Sequence, residues 1–205
     1  MNRCRTSATN MRRRNDLFAD GDVRTTLEKG SMKAGIVIET SSADETLALG
    51  LCSGRIAPCG LVVCLRGELG AGKTVFVRGL THGFLKDSSI AVTSPTYVLQ
   101  HIYRGDDKRV HHLDVYRLTS GDADFEGAGL GECLTDTAAL VCIEWPERVL
   151  EILPDDRMEV ELEHKGPEHR IIHLHATGPE TGRLVDQIAR QAGSRERLKA
   201  FMGSG

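Results

Sequence analysis

A glycine-rich segment, Gly67-Glu-Leu-Gly-Ala-Gly-Lys-Thr74, matches the phosphate-binding pattern G-x-x-x-x-G-K-[ST], the P-loop. Glycine lets such a loop wrap tightly and turn several backbone amides toward triphosphate oxygens. Lys73 then supplies positive charge to the β- and γ-phosphates, and the Thr74 hydroxyl is placed to ligate Mg²⁺. The apolar run 61–65 leads into the segment, and apolar residues at helical spacing over about 74–85 lead out of it. This strand–loop–helix context predicts a nucleotide site; the alternative is a plain glycine-rich turn.

The carboxylate that completes the magnesium shell of a P-loop usually ends a neighbouring buried strand. Glu144 has such a place, directly after the apolar run 140–143, and the alternative is a solvated charge at a strand end. Asp114 also follows a short apolar strand, and its carboxylate is a candidate for orienting the attacking water or for binding magnesium through water. Trp145, the only tryptophan, is either a core side chain or a surface that packs on a purine.

Three further segments carry polar groups whose roles the residues alone leave open. Ser94-Pro-Thr96 is a rigid turn with two hydroxyls, which either senses the γ-phosphate or, as position alone favours, simply turns the chain. His111 and His112 lack a Cys or His partner at metal-ligand spacing, so a structural or positioning role is favoured over a metal site. His173 and His175 share one strand face, where no metal is expected.

Apolar runs and amphipathic stretches alternate around the glycine-rich turn, which predicts a three-layer α/β domain. The alternating segments 158–163 and 171–175 are expected to be half-exposed antiparallel edge strands of a mixed sheet. A capping box at Ser42 and Glu45 predicts where the first helix begins. The expected elements are strands over 36–38, 61–65, 97–103, 110–113, 140–143, 158–163 and 171–175, helices over 42–56, 74–85 and 183–192, and short helical turns in 119–138.

The length of 205 residues suits one domain with tails. We expect a disordered N-terminal extension over 1–33, a P-loop ATPase domain over 34–193 and a frayed C-terminal tail over 194–205. Residues 1–15 hold five arginines and no acid, which also suits an organelle transit peptide, and a misassigned start codon is a further alternative.

Composition excludes several classes of protein. Outside the first 15 residues, 21 Lys and Arg face 29 Asp and Glu, and aromatic residues are 4% of the chain, so a strongly basic or base-stacking nucleic-acid binder is not expected. No apolar run approaches the roughly 18–20 residues that cross a bilayer. The six cysteines form no Cys-x-x-Cys pair, and Cys64 and Cys142 lie in apolar runs, where they are expected in the core. These features predict a reduced, cytoplasmic protein with no membrane association.

Several blocks of the chain, taken together, resemble the TsaE (formerly YjeE) family of small P-loop ATPases of bacterial tRNA threonylcarbamoyladenosine synthesis. The resemblance runs in order from about 42 to 178, roughly two thirds of the chain. The Ser-Pro-Thr-Tyr, His-x-Asp-x-Tyr-Arg and Glu-Trp blocks are much more specific than the P-loop. The blocks are 67–79, Ser94–Tyr97, His112–Leu118, Phe125–Leu130, Ile143–Pro146 and Leu153-Pro154.

The resemblance implies a role for each matching residue, with ATP and Mg²⁺ as cofactors. Glu144 is associated with magnesium, Trp145 packs on the adenine, and the segment 42–46 lies beside the adenine. Asp114 is the family's essential aspartate. The implied catalytic set is Asp114, Lys73 and Thr96; the nucleotide-binding set is Ser42, Glu68, Leu69, Gly70, Ala71, Gly72, Lys73, Thr74 and Trp145; and the metal set is Thr74 and Glu144.

The resemblance also implies partners. Proteins of this family hydrolyse ATP weakly alone and act on a heterodimer of TsaB and TsaD, which modifies the adenosine following the anticodon in tRNAs reading codons that begin with A. The protein would then meet tRNA only indirectly, through that complex. The chain departs from the family in its long extension over 1–33 and in Gly127, where a bulkier apolar residue is usual.

Two other functions are compatible with a P-loop. A small-molecule kinase would need an arginine-rich lid and an acceptor site, and the stretch 119–138 contains no Arg or Lys. A non-hydrolytic, nucleotide-gated interaction module would respond to ATP through Ser94–Thr96 without needing hydrolysis. A guanine-specific switch is not expected, because the chain lacks an Asn/Thr-Lys-x-Asp element.

Overall fold

The computed structural model describes residues 23–27, 34–118 and 122–192. Strands and helices alternate along this part of the chain, and short 3-10 helices flank the sixth strand. The strands are β1 Val23–Leu27, β2 Ala34–Thr40, β3 Val62–Arg66, β4 Gln100–Arg104, β5 Arg109–Asp114, β6 Ala139–Glu144, β7 Met158–His164 and β8 Arg170–Ala176. The helices are α1 Ala43–Ile56, α2 Lys73–Leu85, α3 Asp122–Gly127 and α4 Pro179–Ala192, and the 3-10 helices are Gly131–Thr135, Pro146–Arg148 and Leu150–Ile152.

All the strands belong to one mixed sheet, in the order β1-β2-β8-β7-β3-β6-β5-β4. The central strands β7, β3, β6 and β5 are parallel, whereas β1, β2, β8 and β4 join by antiparallel pairing. One apolar core lies between the sheet and helices α1, α2 and α4, and a second lies on the opposite face, under α3 and the 3-10 helices. The three-layer α/β architecture with antiparallel strands at both edges is therefore confirmed.

The strands predicted at the edges are in fact interior, so that part of the prediction was wrong. β7 lies between β8 and β3, and β8 lies between β2 and β7. Their alternation has another cause, because one face of each strand packs in the first apolar core while the other is exposed or half-buried. Val160 and Leu162 of β7 face that core, and Glu161 between them is exposed.

The sheet also begins earlier than predicted. β1 lies within the stretch expected to be disordered, where Val23–Leu27 pairs antiparallel with Ala34–Ile38. Its five residues include a valine and two threonines, which favour the extended backbone. The rest of the predicted extension and the predicted tail over 194–205 lie outside the described residues.

Most other elements match their predicted positions, with shifts at the ends. α4 begins at Pro179, a turn before the predicted 183. β4 begins at Gln100 rather than 97, because the amides of Val98 and Leu99 both bond back to the carbonyl of Pro95 and keep the chain in a turn. Cys64 and Cys142 are buried in the core, as expected.

Helices α1 and α2 pack with their backbones in close contact, which fixes the helix that follows the P-loop. A Cβ added at Gly79 would overlap the carbonyl oxygen of Leu47, and Gly50, Gly54 and Gly83 are similarly crowded by the opposing helix. Only glycine allows this approach, so these four positions determine how near α1 lies to α2.

The parallel strands bring three chain segments together at their carboxyl-terminal ends. β3, β6 and β5 are neighbours, and their carboxyl ends lie side by side, so that Leu65 pairs with Glu144 and Glu144 with Asp114. The P-loop follows β3 directly. Open α/β sheets bind ligands at the carboxyl-terminal ends of their parallel strands.

Candidate nucleotide-binding site

The P-loop joins β3 to α2 and leaves the first amides of that helix without a side-chain cap. Gly70 and Gly72 have φ values of +79° and +105°, which side chains rarely adopt. Gly72 is the residue before the helix, and having no side chain it makes no cap hydrogen bond to the first turn. Free amides and the positive end of the helix dipole therefore face the loop, an arrangement suited to phosphate.

Lys73 is held inside the loop by the loop's own backbone. Its ammonium donates to the carbonyl of Gly67 at 2.8 Å and to that of Glu68 at 3.1 Å. Burial lowers the pKa of Lys73 below its usual value, and the nearby carboxylates of Glu144 and Asp114 partly oppose that shift. The ammonium is thus poorly hydrated and lies among acceptors, which suits it to bind an anion that displaces the carbonyls.

Thr74 and Glu144, the two residues predicted to hold magnesium, are in contact. The Thr74 hydroxyl donates to Oε1 of Glu144 at 3.1 Å, and Glu144 is only 4% exposed. A hydroxyl and a carboxylate are oxygen ligands that Mg²⁺ accepts, with the rest of its shell filled by phosphates and water. Among the described residues, no group of three or more His, Cys, Asp or Glu side chains forms a metal site by itself. The pair therefore fits a magnesium ion that arrives with a nucleotide.

Asp114 and Thr96 are also brought together, although 18 positions separate them in the chain. The Thr96 hydroxyl donates to Oδ2 of Asp114 at 2.5 Å, and the amide of Tyr116 donates to Oδ1 at 3.1 Å. The hydroxyls of Ser94 and Thr96 are 2.8 Å apart. The Ser-Pro-Thr turn is therefore tied to the aspartate at the end of β5.

Trp145 lies against Lys73 of the P-loop. Its ring centroid is 4.5 Å from the Lys73 ammonium and 5.0 Å from the ring centroid of Tyr116. The residue has a left-handed backbone, with φ of 63°, and is partly buried against the second core. Trp145 therefore approaches the site at Lys73, where phosphate would bind, and a change there would alter its surroundings.

Four other residues predicted to bind the nucleotide differ in exposure and in hydrogen bonding: Ser42, Glu68, Leu69 and Ala71. The Ser42 hydroxyl caps α1 by accepting from the amide of Glu45, and the Glu45 carboxylate accepts from the amide and the hydroxyl of Ser41. Glu68 and Leu69 form the exposed tip of the loop, with Leu69 90% exposed, and Ala71 is buried.

Arg170, at the start of β8, also contacts the P-loop, although it belongs to no sequence motif of the site. Its Nε donates to the carbonyl oxygen of Ala71 in the P-loop at 2.9 Å. A Cβ added at Gly72 would lie 4.0 Å from the same Nε and 4.0 Å from Cγ2 of Thr46. An arginine at the start of an alternating strand carries no signal of such a contact, since 99 positions separate it from Ala71.

Together, the strand–loop–helix unit, the three-layer mixed sheet and the carboxylate ending the neighbouring strand define a P-loop NTPase-like fold. The family model for "Threonylcarbamoyl adenosine biosynthesis protein TsaE" matches residues 40–172. The chain therefore belongs to the TsaE family, as the sequence blocks predict.

Individual relatives agree with this assignment. The tRNA threonylcarbamoyladenosine biosynthesis protein TsaE of Treponema pallidum is 43% identical over 121 residues, which cover 59% of this chain and 86% of the relative. The protein of the same name from Bacillus subtilis is 30% identical over 151 residues, covering 74% and 92%. The crystal structure of Bacillus subtilis YdiB superposes with a TM-score of 0.65 at 27% identity, covering 78% of this chain and 97% of that one.

No helix in the described part of the chain is both long and apolar enough to cross a membrane.

Proposed function

We propose that this protein is the Mg²⁺-dependent, ATP-binding and ATP-hydrolysing subunit required for threonylcarbamoyl modification of the adenosine that follows the anticodon in tRNAs reading A-starting codons. It acts in the cytoplasm on a TsaB–TsaD heterodimer. The observation that carries this proposal is the contact between the Thr74 hydroxyl and the Glu144 carboxylate, beside Lys73 and the amide-rich loop. Family membership supplies the biosynthetic setting.

The chain's own groups would bind and orient the triphosphate. The amides from Gly70 to Thr74 and the Lys73 ammonium would surround the β- and γ-phosphates and offset the charge that develops during transfer. Thr74 and Glu144 would hold Mg²⁺, which supplies Lewis-acid stabilisation of the phosphate oxygens when bound. The reaction is in-line attack of water on the γ-phosphate, for which positioning matters more than covalent chemistry.

Asp114 is the residue best placed to orient that water. It lies on the strand next to Glu144, and Thr96 holds its Oδ2. A γ-phosphate that drew the Thr96 hydroxyl toward itself would free Oδ2 to accept a hydrogen bond from water. The Ser-Pro-Thr turn would thus link the state of the nucleotide to the catalytic aspartate.

The surroundings of the site suit a protein partner. Large apolar side chains are exposed on the segments that build the site, a feature that commonly marks interaction surfaces. Leu69 at the loop tip is 90% exposed, and Tyr97, next to Thr96, is 83% exposed with the Arg117 guanidinium 4.9 Å from its ring centroid. We assign the TsaB–TsaD heterodimer to this rim, so that nucleotide state and partner contact act through the same segments.

Reconstitution tests the proposal. The protein is combined with a TsaB–TsaD heterodimer, tRNA and the threonylcarbamoyl donor, and both modified adenosine and released phosphate are measured. We expect repeated turnover with Mg·ATP and none with Lys73→Ala, whereas Lys165→Ala, which removes a surface lysine paired with Glu39, behaves as the wild type. Modification by Lys73→Ala at the wild-type level would refute the proposal.

Asp114→Asn separates hydrolysis from nucleotide gating. We expect this variant to bind ATP, to release little phosphate and to support no more than about one round of modification. Repeated modification without phosphate release would favour the nucleotide-gated module instead. Transfer of phosphate to a small acceptor would favour a kinase.

A further inference from the structure

We propose that His112 is a positioning residue that fixes the Glu144 carboxylate for magnesium, a role that rests on the proposed Mg·ATP site. His112 lies on β5, two residues before Asp114, and is completely buried. Its Nε2 lies 3.0 Å from Oε1 of Glu144, the same oxygen that accepts from the Thr74 hydroxyl at 3.1 Å. One carboxylate oxygen is therefore held from two sides, by a strand and by the P-loop helix.

The hydrogen-bond partners of His112 indicate which nitrogen carries its proton. A carboxylate oxygen only accepts, so Nε2 carries the hydrogen and donates it. Nδ1 is buried and has no hydrogen-bond partner among the described residues. The ring therefore acts on the site through Nε2, which orients the Glu144 carboxylate.

Packing alone does not account for a histidine at this position. Val110 on β5 and Cys142 on β6, beside it, belong to the apolar core, and the ring centroid of Tyr103 lies 6.4 Å away. A leucine would fill such a place without leaving a buried nitrogen unpaired. The polar contact that histidine adds is the one to Glu144.

The next residue on the same strand offers a matched control. His111 points to the opposite face of the sheet, where its Nε2 contacts Asp136 at 3.1 Å and its Nδ1 contacts the Gln100 amide at 3.0 Å. The two histidines share strand, residue type and contact with a carboxylate. Only His112 touches the site.

Groups that orient metal ligands typically change metal affinity by 10- to 100-fold when they are removed. We therefore expect His112→Leu to raise the Mg²⁺ concentration that half-saturates ATP binding by about tenfold, with little change in ATP affinity in EDTA. His112→Gln restores an N–H donor near the position of Nε2 and should stay within about threefold of the wild type. His111→Leu should leave the Mg²⁺ requirement unchanged.

The measurement is Trp145 fluorescence of the full chain, titrated with ATP in EDTA and at a series of Mg²⁺ concentrations. A wild-type Mg²⁺ requirement in His112→Leu, or an equal loss of ATP affinity in EDTA and in Mg²⁺, would overturn the inference. If His112→Leu does not fold, as judged by thermal melting, His112→Asn takes its place, because its shorter amide does not reach Glu144. Equal Mg²⁺ requirements for His112→Asn and His112→Gln would then overturn it.

The two proposals fail in different ways. Wild-type protein whose ATP binding is indifferent to Mg²⁺ would contradict the proposed function and, with it, this inference. Wild-type protein that needs Mg²⁺, with His112 variants that need it equally, would overturn the role of His112 and leave the proposed function intact.

Discussion

Asp114 lies where it could orient the attacking water, but other groups of the protein already occupy its carboxylate oxygens. Both of its carboxylate oxygens already accept hydrogen bonds, one from the Thr96 hydroxyl and one from the amide of Tyr116. A carboxylate in that state has limited capacity to orient water. Thr96 is therefore the residue whose movement would make Asp114 available.

In the proposed reaction the Thr96 hydroxyl moves from Asp114 to the γ-phosphate and helps to hold that group for attack, so it should matter for hydrolysis and not for binding of the diphosphate. We expect Thr96→Val to lower the rate of ATP hydrolysis at least tenfold, on the order of the loss when a positioned catalytic group is removed, and to leave ADP affinity unchanged. Thr96→Ser should recover most of the rate. Phosphate release and ADP titration measure the two effects, and an equal loss of ADP and ATP binding in Thr96→Val would contradict the assignment.

The contacts between helices decide how rigidly the P-loop helix is held. At Gly79 of α2, a methyl group would meet the backbone of α1, whose carbonyl cannot move aside as a side chain would. Overpacked core positions lose typically about 1–3 kcal/mol, and we expect Gly79→Ala to lose at least about 3 kcal/mol because the obstacle is backbone.

Gly182 of α4 is the matched control, since no described residue lies within 4 Å of a Cβ added there. Gly182→Ala should gain about 0.5–1 kcal/mol, because alanine is the better helix former in an open position. Urea unfolding of the two variants gives both values. Similar stabilities for Gly79→Ala and the wild type would show that the helices separate easily.

Element positions were largely predictable from the sequence because the signals that set them are local. The P-loop and the apolar runs before Glu144 and Asp114 predicted which strand ends and which loop lie together at the candidate site. The place of β7 and β8 within the sheet was not predictable, because alternation reports one covered face and is the same for edge and interior antiparallel strands. Contacts between distant residues were equally hidden. Arg170 reaches Ala71 across 99 positions and His112 reaches Glu144 across 32, and neither pair carries a local signal.

At the scale of the whole molecule, carboxylates held by neighbours should make the fold sensitive to acid. A hydrogen bond from His111 lowers the pKa of Asp136. Burial raises the pKa of Asp156, but hydrogen bonds from Thr181 and from the first amides of α4 outweigh it and hold that pKa below its usual value. Burial also raises the pKa of Glu159, but the guanidinium groups of Arg66 and Arg157 outweigh it and hold that pKa below its usual value.

A carboxyl whose pKa is lower in the folded state stabilises the fold fully above its unfolded pKa, about 4, and that contribution is lost as the pH falls through the folded value. We therefore expect the free energy of unfolding to be steady near neutral pH and to decline below about pH 4. Asp156→Asn should lower stability at neutral pH and reduce the steepness of the acid decline. Urea unfolding at a series of pH values measures both, and an unchanged pH profile for Asp156→Asn would contradict the role of this carboxylate.

The proposed function and the role of His112 both require that Thr74 and Glu144 hold the magnesium of a bound ATP. The most direct measurement is ATP affinity of wild type and Glu144→Ala, followed by Trp145 fluorescence, with saturating Mg²⁺ and with EDTA. The ring centroid of Trp145 lies 4.5 Å from the Lys73 ammonium, so phosphate at the loop should change its emission. We predict a saturable change in the wild type that is tighter with Mg²⁺, and a loss in Glu144→Ala confined to the Mg²⁺ condition. Equal loss with and without Mg²⁺ would contradict the claim.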